Sequence, residues 1–348
     1  MKKKSNKIIL TLVFILLVVI TLLVIVNQNE SFSLKGFIQY VSDASLLWII
    51  LAFICMLGFV FFEAWAIRIL SEAFGYRRSM KKALVYSASD IYFSAITPSA
   101  TGGQPASALF MMKDKIPGAV TTIILLINLT LYTTSIIVIG GICFITRSDI
   151  FIDLSALSKC LVLIGYGLQF VLLAVFLLLV FKEKIVMKIA TIVLRLLHKI
   201  HIVRHIDKKL EHLEEVEKQY KECAKAIKQH KKSMLQAFIC NLLQRLSLVC
   251  VSVCVFIGVT DSVSGAYTAF ATQGYVVMGS NSVPIPGAVG AADYLFIDGF
   301  DTLVQDPISI ELLSRGISFY CCIIVCGLLT LGAYLTKGLK GIKQRKKC

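Results

Sequence analysis

Three arginines lie inside apolar segments of the sequence, where a charged side chain is costly. Arg245 is about eleven residues inside the apolar run 234–259, whereas Arg68 and Arg315 lie near one end of theirs. A charge at the centre of a spanning helix costs at least about 2.5 kcal/mol and marks either a functional path or a buried pair. Arg68 can reach the interface along its own stem. Arg245 and Arg315 are therefore predicted to face an internal site.

Acidic residues in the same surroundings are the candidate partners of these arginines. Glu63, Asp90 and Asp293 lie in apolar stretches, and Glu311 stands four residues before Arg315. An internal ion pair would offset the cost of burying an arginine. Ion pairing and anion binding are thus two alternative roles, and the sequence leaves both open.

Two segments rich in proline and glycine interrupt apolar stretches. The first, 98–105, separates 83–97 from 106–112, and the second, 284–290, follows 267–283. Proline removes a backbone donor and glycine relaxes the backbone, so one helix ends at each break and another begins after it. A helix start presents free N–H groups and a positive dipole end, which suits an anion such as a lipid phosphate. The predicted substrate-binding residues are Pro98, Thr101, Gly102, Gly103, Gln104, Pro105, Arg245, Pro284, Pro286, Gly287, Gly290, Asp293 and Arg315.

Charged flanks indicate the side from which each interrupted segment enters the membrane. Basic residues at 77–82 and 113–115 flank the first segment, which predicts that it enters from the cytoplasm and returns there. Its first helix, of about 15 residues, rises only about 22 Å, short of the roughly 30 Å hydrocarbon core. The second segment has acidic flanks, which predicts a hairpin entering from outside. A full span followed by a shorter one is the alternative.

The elements that position these residues are predicted to be transmembrane helices. Hydrophobic residues make up 57% of the 348 residues and charged residues 16%, and the mean hydropathy is +0.80, far more apolar than a soluble domain. Six runs reach the roughly 20 apolar residues that a span needs, at 8–26, 46–70, 119–145, 161–181, 234–259 and 312–336. The run 8–26 is interpreted as a retained span because it exceeds the usual signal-peptide core and no small-residue cleavage motif follows it.

The predicted fold is an all-α polytopic membrane protein with about six transmembrane helices and two re-entrant broken-helix hairpins in an inverted repeat. The single membrane domain 1–348 divides into repeat 1 at about 46–146, a connecting span and basic cytoplasmic segment at 160–232, repeat 2 at about 234–337, and a basic tail at 338–348. Interrupted segments at matching positions of inverted repeats indicate a transporter site near the bilayer midplane. We expect the two breaks to approach each other there, with Arg245 and Arg315 facing a shared cavity.

The net charge of +15 is concentrated in segments that alternate spans place on one side. The N-terminus, 77–82, 182–232 and 337–347 are basic, whereas the opposite loops are mainly acidic. The positive-inside rule therefore predicts both termini in the cytoplasm, with the chain in a bacterial cytoplasmic membrane. The same basic segments are predicted to contact the anionic lipid surface. No nucleic-acid partner is needed to explain the charge.

Metal and cofactor sites are not predicted. The segment 182–232 contains a cluster of four histidines, His198, His201, His205 and His212, and no carboxylate or cysteine arrangement completes a metal site with them. Most of the eleven cysteines lie in apolar runs and form no paired CxxC motif, so we predict no structural disulfide. No P-loop of the form GxxxxGK[ST] occurs, so ATP-driven transport by this chain alone is not expected.

Both breaks resemble motifs of the transmembrane region of lysylphosphatidylglycerol synthase/flippase proteins, a family that includes the flippase half of the bacterial multiple peptide resistance factor. Residues 97–105 read TPSATGGQP, similar to the family's Pro followed by Gly-Gly-Glu/Gln-Pro. Residues 284–293 read PIPGAVGAAD, similar to Pro-x-Pro-Gly-Gly-x-Gly-x-x-Glu. Arg315 stands where the family places an arginine opening the last span. The resemblance covers nearly the whole chain.

The resemblance implies a flippase that moves an anionic or aminoacylated phospholipid, or a lipid-linked anion, between leaflets, rather than an enzyme. One alternative is a small-solute or ion transporter using the same site. Another is a membrane partner of a separate soluble aminoacyl-phospholipid synthase, since the longest soluble segment here, about 50 residues, is too short for a lysyl-transfer domain. Membrane phospholipid, a second copy of the chain and that soluble enzyme are the expected partners. Departures from the family pattern at Gln104, Ala288 and Asp293 bear on the headgroup selected.

Overall fold

The structure is a computed structural model that describes residues 41–181 and 229–345 together with residues 38, 188, 191 and 192, apart from the side chains of 99 and 336–345. Throughout these residues the secondary structure is helical, without a strand. The helices are α1 (Leu46–Ala73), α2 (Met80–Ala95), α3 (Gly103–Lys113), α4 (Gly118–Thr146), α5 (Ser148–Asp153), α6 (Ala156–Phe181), α7 (Lys231–Thr260), α8 (Ala266–Ser280), α9 (Ala291–Phe300), α10 (Pro307–Arg315) and α11 (Cys322–Arg345). Short 3₁₀ turns occupy Pro98–Ala100 and Pro286–Ala288, and a π-helical turn occupies Gly316–Cys321.

Five helical stretches of the described residues are long and apolar enough to cross a membrane. They are Leu46–Ala73, Gly118–Thr146, Ala156–Phe181, Lys231–Thr260 and Pro307–Leu335. The prediction of an all-α polytopic membrane protein is therefore confirmed. The sixth predicted span, 8–26, lies outside the described residues.

The last span begins five residues earlier than the sequence pattern predicts. Its first turn carries Pro307, whose fixed φ suits a helix start, and the side chain of Asp306 accepts a hydrogen bond from the backbone N–H of Ser309 at 3.0 Å. The hydrophobic run alone, which begins at 312, does not report these capping residues. The π-helical turn then widens the same span directly after Arg315.

Both interrupted segments form pairs of short helices around a non-helical break. The first hairpin consists of α2, the break at 96–102 and α3, and the second consists of α8, the break at 281–290 and α9. Helix α2 has 16 residues and α8 has 15, so each rises about 22–24 Å, less than a full span. This length favours the hairpin interpretation of the second segment over a full span followed by a shorter one.

Helices α1 and α7 pack against each other along their length in antiparallel directions. The backbone N–H of Ser45 donates to the carbonyl of Gly258 at 2.7 Å, and Gly58 faces the Ser247 side chain further along. Residue numbers thus rise along one helix as they fall along the other. The order of long helix, interrupted pair and long helix occurs twice, and an inverted repeat requires the first helix of each half to run in opposite directions.

Candidate functional site

A cavity of about 730 Å³ lies between the two breaks and the α1–α7 pair. This volume falls within the range of ligand sites, about 300–1,000 Å³. The 3₁₀ turns of the two breaks contact each other beside it. Its polar and charged lining includes Glu63, Asp90, Thr101, Gln104, Asn128, Gln169, Gln244, Arg245, Glu311 and Arg315. Its apolar lining includes Phe59, Leu129, Leu168, Leu172, Phe176, Ile285 and Phe319.

Arg245 is buried on α7, at 5% exposure, and its guanidinium group faces two aromatic rings of the cavity wall. The central carbon of that group lies 4.2 Å from the ring centroid of Tyr132 and 5.0 Å from that of Phe59. Across the described part of the chain, the guanidinium forms no hydrogen bond and no ion pair, and its Nε is buried without a partner. Cation–π contacts of this kind contribute about 0.5–2 kcal/mol and leave the N–H donors free. Arg245 can therefore still bind an anion.

Glu63 lies opposite on α1, buried at 6% exposure. Its Oε2 accepts hydrogen bonds from the amide of Gln244 at 3.0 Å and from the hydroxyl of Ser87 at 3.2 Å. That hydroxyl is also 3.0 Å from the carbonyl of Val60, so its one proton is shared. Oε1 has no hydrogen-bond partner among the described residues. This carboxyl group is thus held by neutral donors alone.

At the first break the carboxyl group of Asp90 lies against the start of α3. Its Oδ2 accepts from the amide of Gln104 at 2.8 Å and its Oδ1 from the hydroxyl of Ser94 at 3.1 Å. The approach requires glycine, because a β-carbon at Gly103 would lie 2.1 Å from Asp90 Oδ1. The backbone N–H of Gly102 donates to the Thr97 hydroxyl at 2.9 Å. The chain's own groups therefore occupy this helix start.

At the second break Arg315 contacts both the break and the start of α9. Its Nη1 forms an ion pair with Asp293 Oδ1, and its Nη2 donates to the carbonyl of Gly287 at 2.7 Å. Asp293 Oδ2 in turn accepts from the backbone N–H of Gly290 at 2.8 Å, which caps α9. In each hairpin the chain itself thus satisfies one backbone N–H of the helix start, through the Thr97 hydroxyl at the first break and the Asp293 carboxylate at the second.

The suggested pairing of Arg315 with Glu311 is not formed, because Asp293 lies against the guanidinium group. Glu311 is buried at 2% exposure, and its Oε2 has no hydrogen-bond partner among the described residues. Four residues along a helix bring two side chains within reach but do not decide which partner is used. The ion-pair alternative thus holds for Arg315, whereas Arg245 lacks such a partner in the described part of the chain.

Of the predicted site residues, five line the cavity: Thr101, Gln104, Arg245, Gly287 and Arg315. The remaining eight lie in the breaks or in the first turn of the helix that follows each break: Pro98, Gly102, Gly103, Pro105, Pro284, Pro286, Gly290 and Asp293. Thr97 and Ile285, each before a proline, adopt extended backbone, as the proline ring requires. These eight residues shape the backbone around the cavity and do not line it.

The sequence-based prediction missed several neutral polar residues of the cavity. Gln244, Asn128 and Gln169 line it, and Gln169 reaches across to the hydroxyl of Ser282 at 3.0 Å. Tyr132 places its ring beneath Arg245. A side-chain amide inside an apolar run is itself unusual in a membrane helix. All three amides lie inside predicted spans, so the sequence alone could have indicated them as site residues.

Residues 8–326 match the family described as the lysylphosphatidylglycerol synthase TM region. The chain belongs to this family. The match covers both hairpins, the α1–α7 pair and every residue lining the cavity, and the predicted resemblance to this family is confirmed. Searches of curated proteins and of solved structures gave no significant match.

Within residues 41–181 and 229–345 no group of three or more histidine, cysteine, aspartate or glutamate side chains is placed to hold a metal ion. The histidines at 198–212 lie outside the described residues.

Arg68, the third arginine inside an apolar run, is half-buried near the end of α1 and does not line the cavity.

Proposed function

We propose that this protein moves an anionic phospholipid, an aminoacylated one, or another lipid-linked anion between the two leaflets of a membrane through the cavity. The observation that carries the proposal is Arg245, a buried guanidinium group that forms no hydrogen bond and no direct ion pair with the described residues. Membrane-embedded charges of this kind are costly and persist where they serve a substrate path. A phosphate diester would supply the missing charge and accept the free N–H donors.

The apolar part of the cavity wall supports a lipid over a small solute. Leu168, Leu172 and Phe176 of α6 line the cavity on one side, while neighbouring apolar side chains such as Val171 are exposed on the surface of the same helix. A surface of this kind in a membrane protein faces lipid. A headgroup could therefore bind at Arg245 while an acyl chain stays along α6.

We further propose that both termini lie on the cytoplasmic side of a bacterial cytoplasmic membrane, with the basic segments against anionic lipid. The supporting observation is the charge bias, with Arg77, Arg78 and Lys82 at the start of the first hairpin and Asp149 and Asp153 at the opposite end of α4. A membrane-impermeant thiol reagent should label Ser148→Cys from outside intact cells. Labelling from the cytoplasmic side alone would reverse the topology.

The transport proposal is tested with purified protein in vesicles that contain a fluorescent phospholipid, quenched from outside. Arg245→Gln should reduce translocation roughly ten- to hundredfold, because a charge-assisted hydrogen bond contributes about 1.5–3 kcal/mol. Arg245→Lys should retain part of the activity. The matched control is Arg77→Gln, an exposed arginine whose loss should leave translocation unchanged.

Thermal unfolding in detergent separates substrate binding from a structural role. If Arg245→Gln lost activity only because it unfolded, the buried-pair interpretation would be favoured. Normal translocation with normal stability would contradict the proposal. Uptake of water-soluble glycerol phosphate without lipid translocation would instead identify a small-solute transporter.

A further inference from the structure

The carboxyl group of Glu63 is a second buried group of the cavity wall, and lipid binding at Arg245 does not by itself require it. Glu63 and Gln244 meet where α1 crosses α7, and both line the cavity. Gln244 and Arg245 are consecutive residues, so the carboxyl group and the anion-binding guanidinium group share one stretch of wall. An acid in this position changes the charge that a bound anion meets.

The hydrogen bonds of Glu63 suit both of its protonation states. Oε2 accepts from Gln244 and Ser87, while Oε1 has no partner among the described residues. Gln244 is 2% exposed and its own Oε1 is buried without a partner. The amide can therefore donate to an ionised carboxyl group and, after rotation, accept from a neutral one. Asp293 differs, because its Oδ1 forms an ion pair with the guanidinium group of Arg315.

The groups that face Glu63 come from four neighbouring elements of the fold. They are Arg245 on α7, Asp90 on α2, Tyr132 on α4, and Cys322 and Cys326 on α11. Arg245 is the one fixed cation among these groups, and it forms no direct ion pair with Glu63. When the cavity holds no anion, a carboxylate at Glu63 has this one cation opposite it. When a phosphate occupies Arg245, the same carboxylate faces a neutralised cation and a second negative charge.

We propose that Glu63 is a proton-binding site, taking up one proton when an anion binds at Arg245 and releasing it when the anion leaves. The inference rests on the proposed function, because it takes anion binding at Arg245 as given. The carboxylate and a proton from the aqueous phase form the neutral acid, and dissociation returns the proton to the aqueous phase on the side of release. Lipid movement and proton movement then share one cycle, so a proton gradient across the membrane would drive the transport.

The closing experiment counts protons during binding. Wild-type protein in detergent is titrated with dihexanoyl phosphatidylglycerol in two buffers of different ionisation enthalpy, and the difference in measured heat gives the protons taken up. We expect close to one proton per bound lipid for the wild type and close to none for Glu63→Gln. The control Glu72→Gln, at an exposed position on the same helix, should match the wild type.

The pH dependence of affinity provides a second readout. Because binding takes up a proton, wild-type affinity should fall by up to about tenfold per pH unit as the pH rises. Affinity of Glu63→Gln should not change over the same range. Infrared difference spectra of the wild type should gain a protonated carboxyl band when the lipid binds, a measurement that needs no variant.

Each outcome decides a different claim. Wild-type binding without proton uptake overturns the inference and leaves the proposed function standing, and so does equal uptake by Glu63→Gln. Absence of binding by the wild type overturns both. If binding of glycerol phosphate takes up a proton just as lipid binding does, the result supports the proton site. It also shows that the phosphate, and not the acyl chain, is the group whose binding is coupled to protonation.

Discussion

Arg315 and Arg245 are both buried, both line one cavity and both stand over an aromatic ring, yet their polar surroundings are opposite. Arg315 binds the Asp293 carboxylate and the Gly287 carbonyl, which fixes the second break against α10. Arg245 stacks on Tyr132 and Phe59, and its donors find no acceptor among the described residues.

The difference separates a structural charge from a candidate functional one. A buried pair is satisfied within the protein, so removing one member leaves the other uncompensated. A buried charge without a partner instead lowers the stability of the ligand-free protein. The two arginines should therefore respond to replacement in opposite directions, and the predictions below test that contrast on stability.

The largest effect is expected at the paired arginine. Arg315→Gln should lower the free energy of unfolding by about 3–5 kcal/mol, because Asp293 would remain buried without its cation. The double replacement Arg315→Gln with Asp293→Asn should recover part of this loss. Denaturant titration of the purified protein in detergent measures both. A single replacement that costs less than about 1 kcal/mol would show that the pair is not structural.

A smaller loss is expected from the backbone that Arg315 holds. Gly287 has a φ of +63°, and a β-carbon there would lie 2.2 Å from the Phe319 ring, which packs beneath Arg315. Gly287→Ala should therefore destabilise the protein by about 1–3 kcal/mol through backbone strain. Gly316→Ala is the control, because Gly316 is helical with open space around it and should gain about 0.5–1 kcal/mol. Equal effects at the two positions would argue against a strained second break.

The unpaired arginine should respond in the other direction. Arg245→Met removes a charge that costs at least about 2.5 kcal/mol and loses cation–π contacts of about 0.5–2 kcal/mol. Glu63 can take up a proton once the cation is gone, so the free energy of unfolding should rise by roughly 0.5–2 kcal/mol. Translocation should be lost in the same variant. A large loss of stability would instead show that Arg245 has a structural partner, and the contrast with Arg315 would disappear.

The sequence predicted best those structural features that depend on residues close together in the chain. Apolar runs predicted the long helices, and proline with glycine predicted both breaks, because span length and backbone freedom are local properties. Partner choice was not predictable in the same way. That Asp293 pairs with Arg315 while Glu63 bonds to Gln244 depends on how α9 and α10 and the α1–α7 pair are placed in space.

The helix starts at the breaks show the same limit. Their free N–H groups follow from helix geometry, but which group satisfies them depends on side-chain placement. Thr97 and Asp293 take that role here, and both were part of the quoted motifs. The motifs predicted both breaks, but they do not predict which group accepts from each helix start, because a side chain of the same chain can do so.

The smallest effect is expected at the exposed pair of Arg147 and Asp149, beyond the end of α4. Hydrogen bonds from Arg147, at 2.8 and 3.0 Å to the two carboxylate oxygens, lower the pKa of Asp149 from its usual value. A lowered pKa gives stability that is present at neutral pH and lost as the pH falls through the folded-state value. The wild type should therefore lose slightly more thermal stability than Asp149→Asn between neutral pH and about pH 3.

Asp153→Asn is the control, since Asp153 has no ion pair among the described residues, and it should keep the wild-type acid dependence. The pair is screened by water, so the difference should shrink as salt is added. If Asp149→Asn lost as much stability in acid as the wild type, the Arg147–Asp149 pair would contribute nothing to stability. Arg245 would then be the position with the smallest effect on stability among those compared.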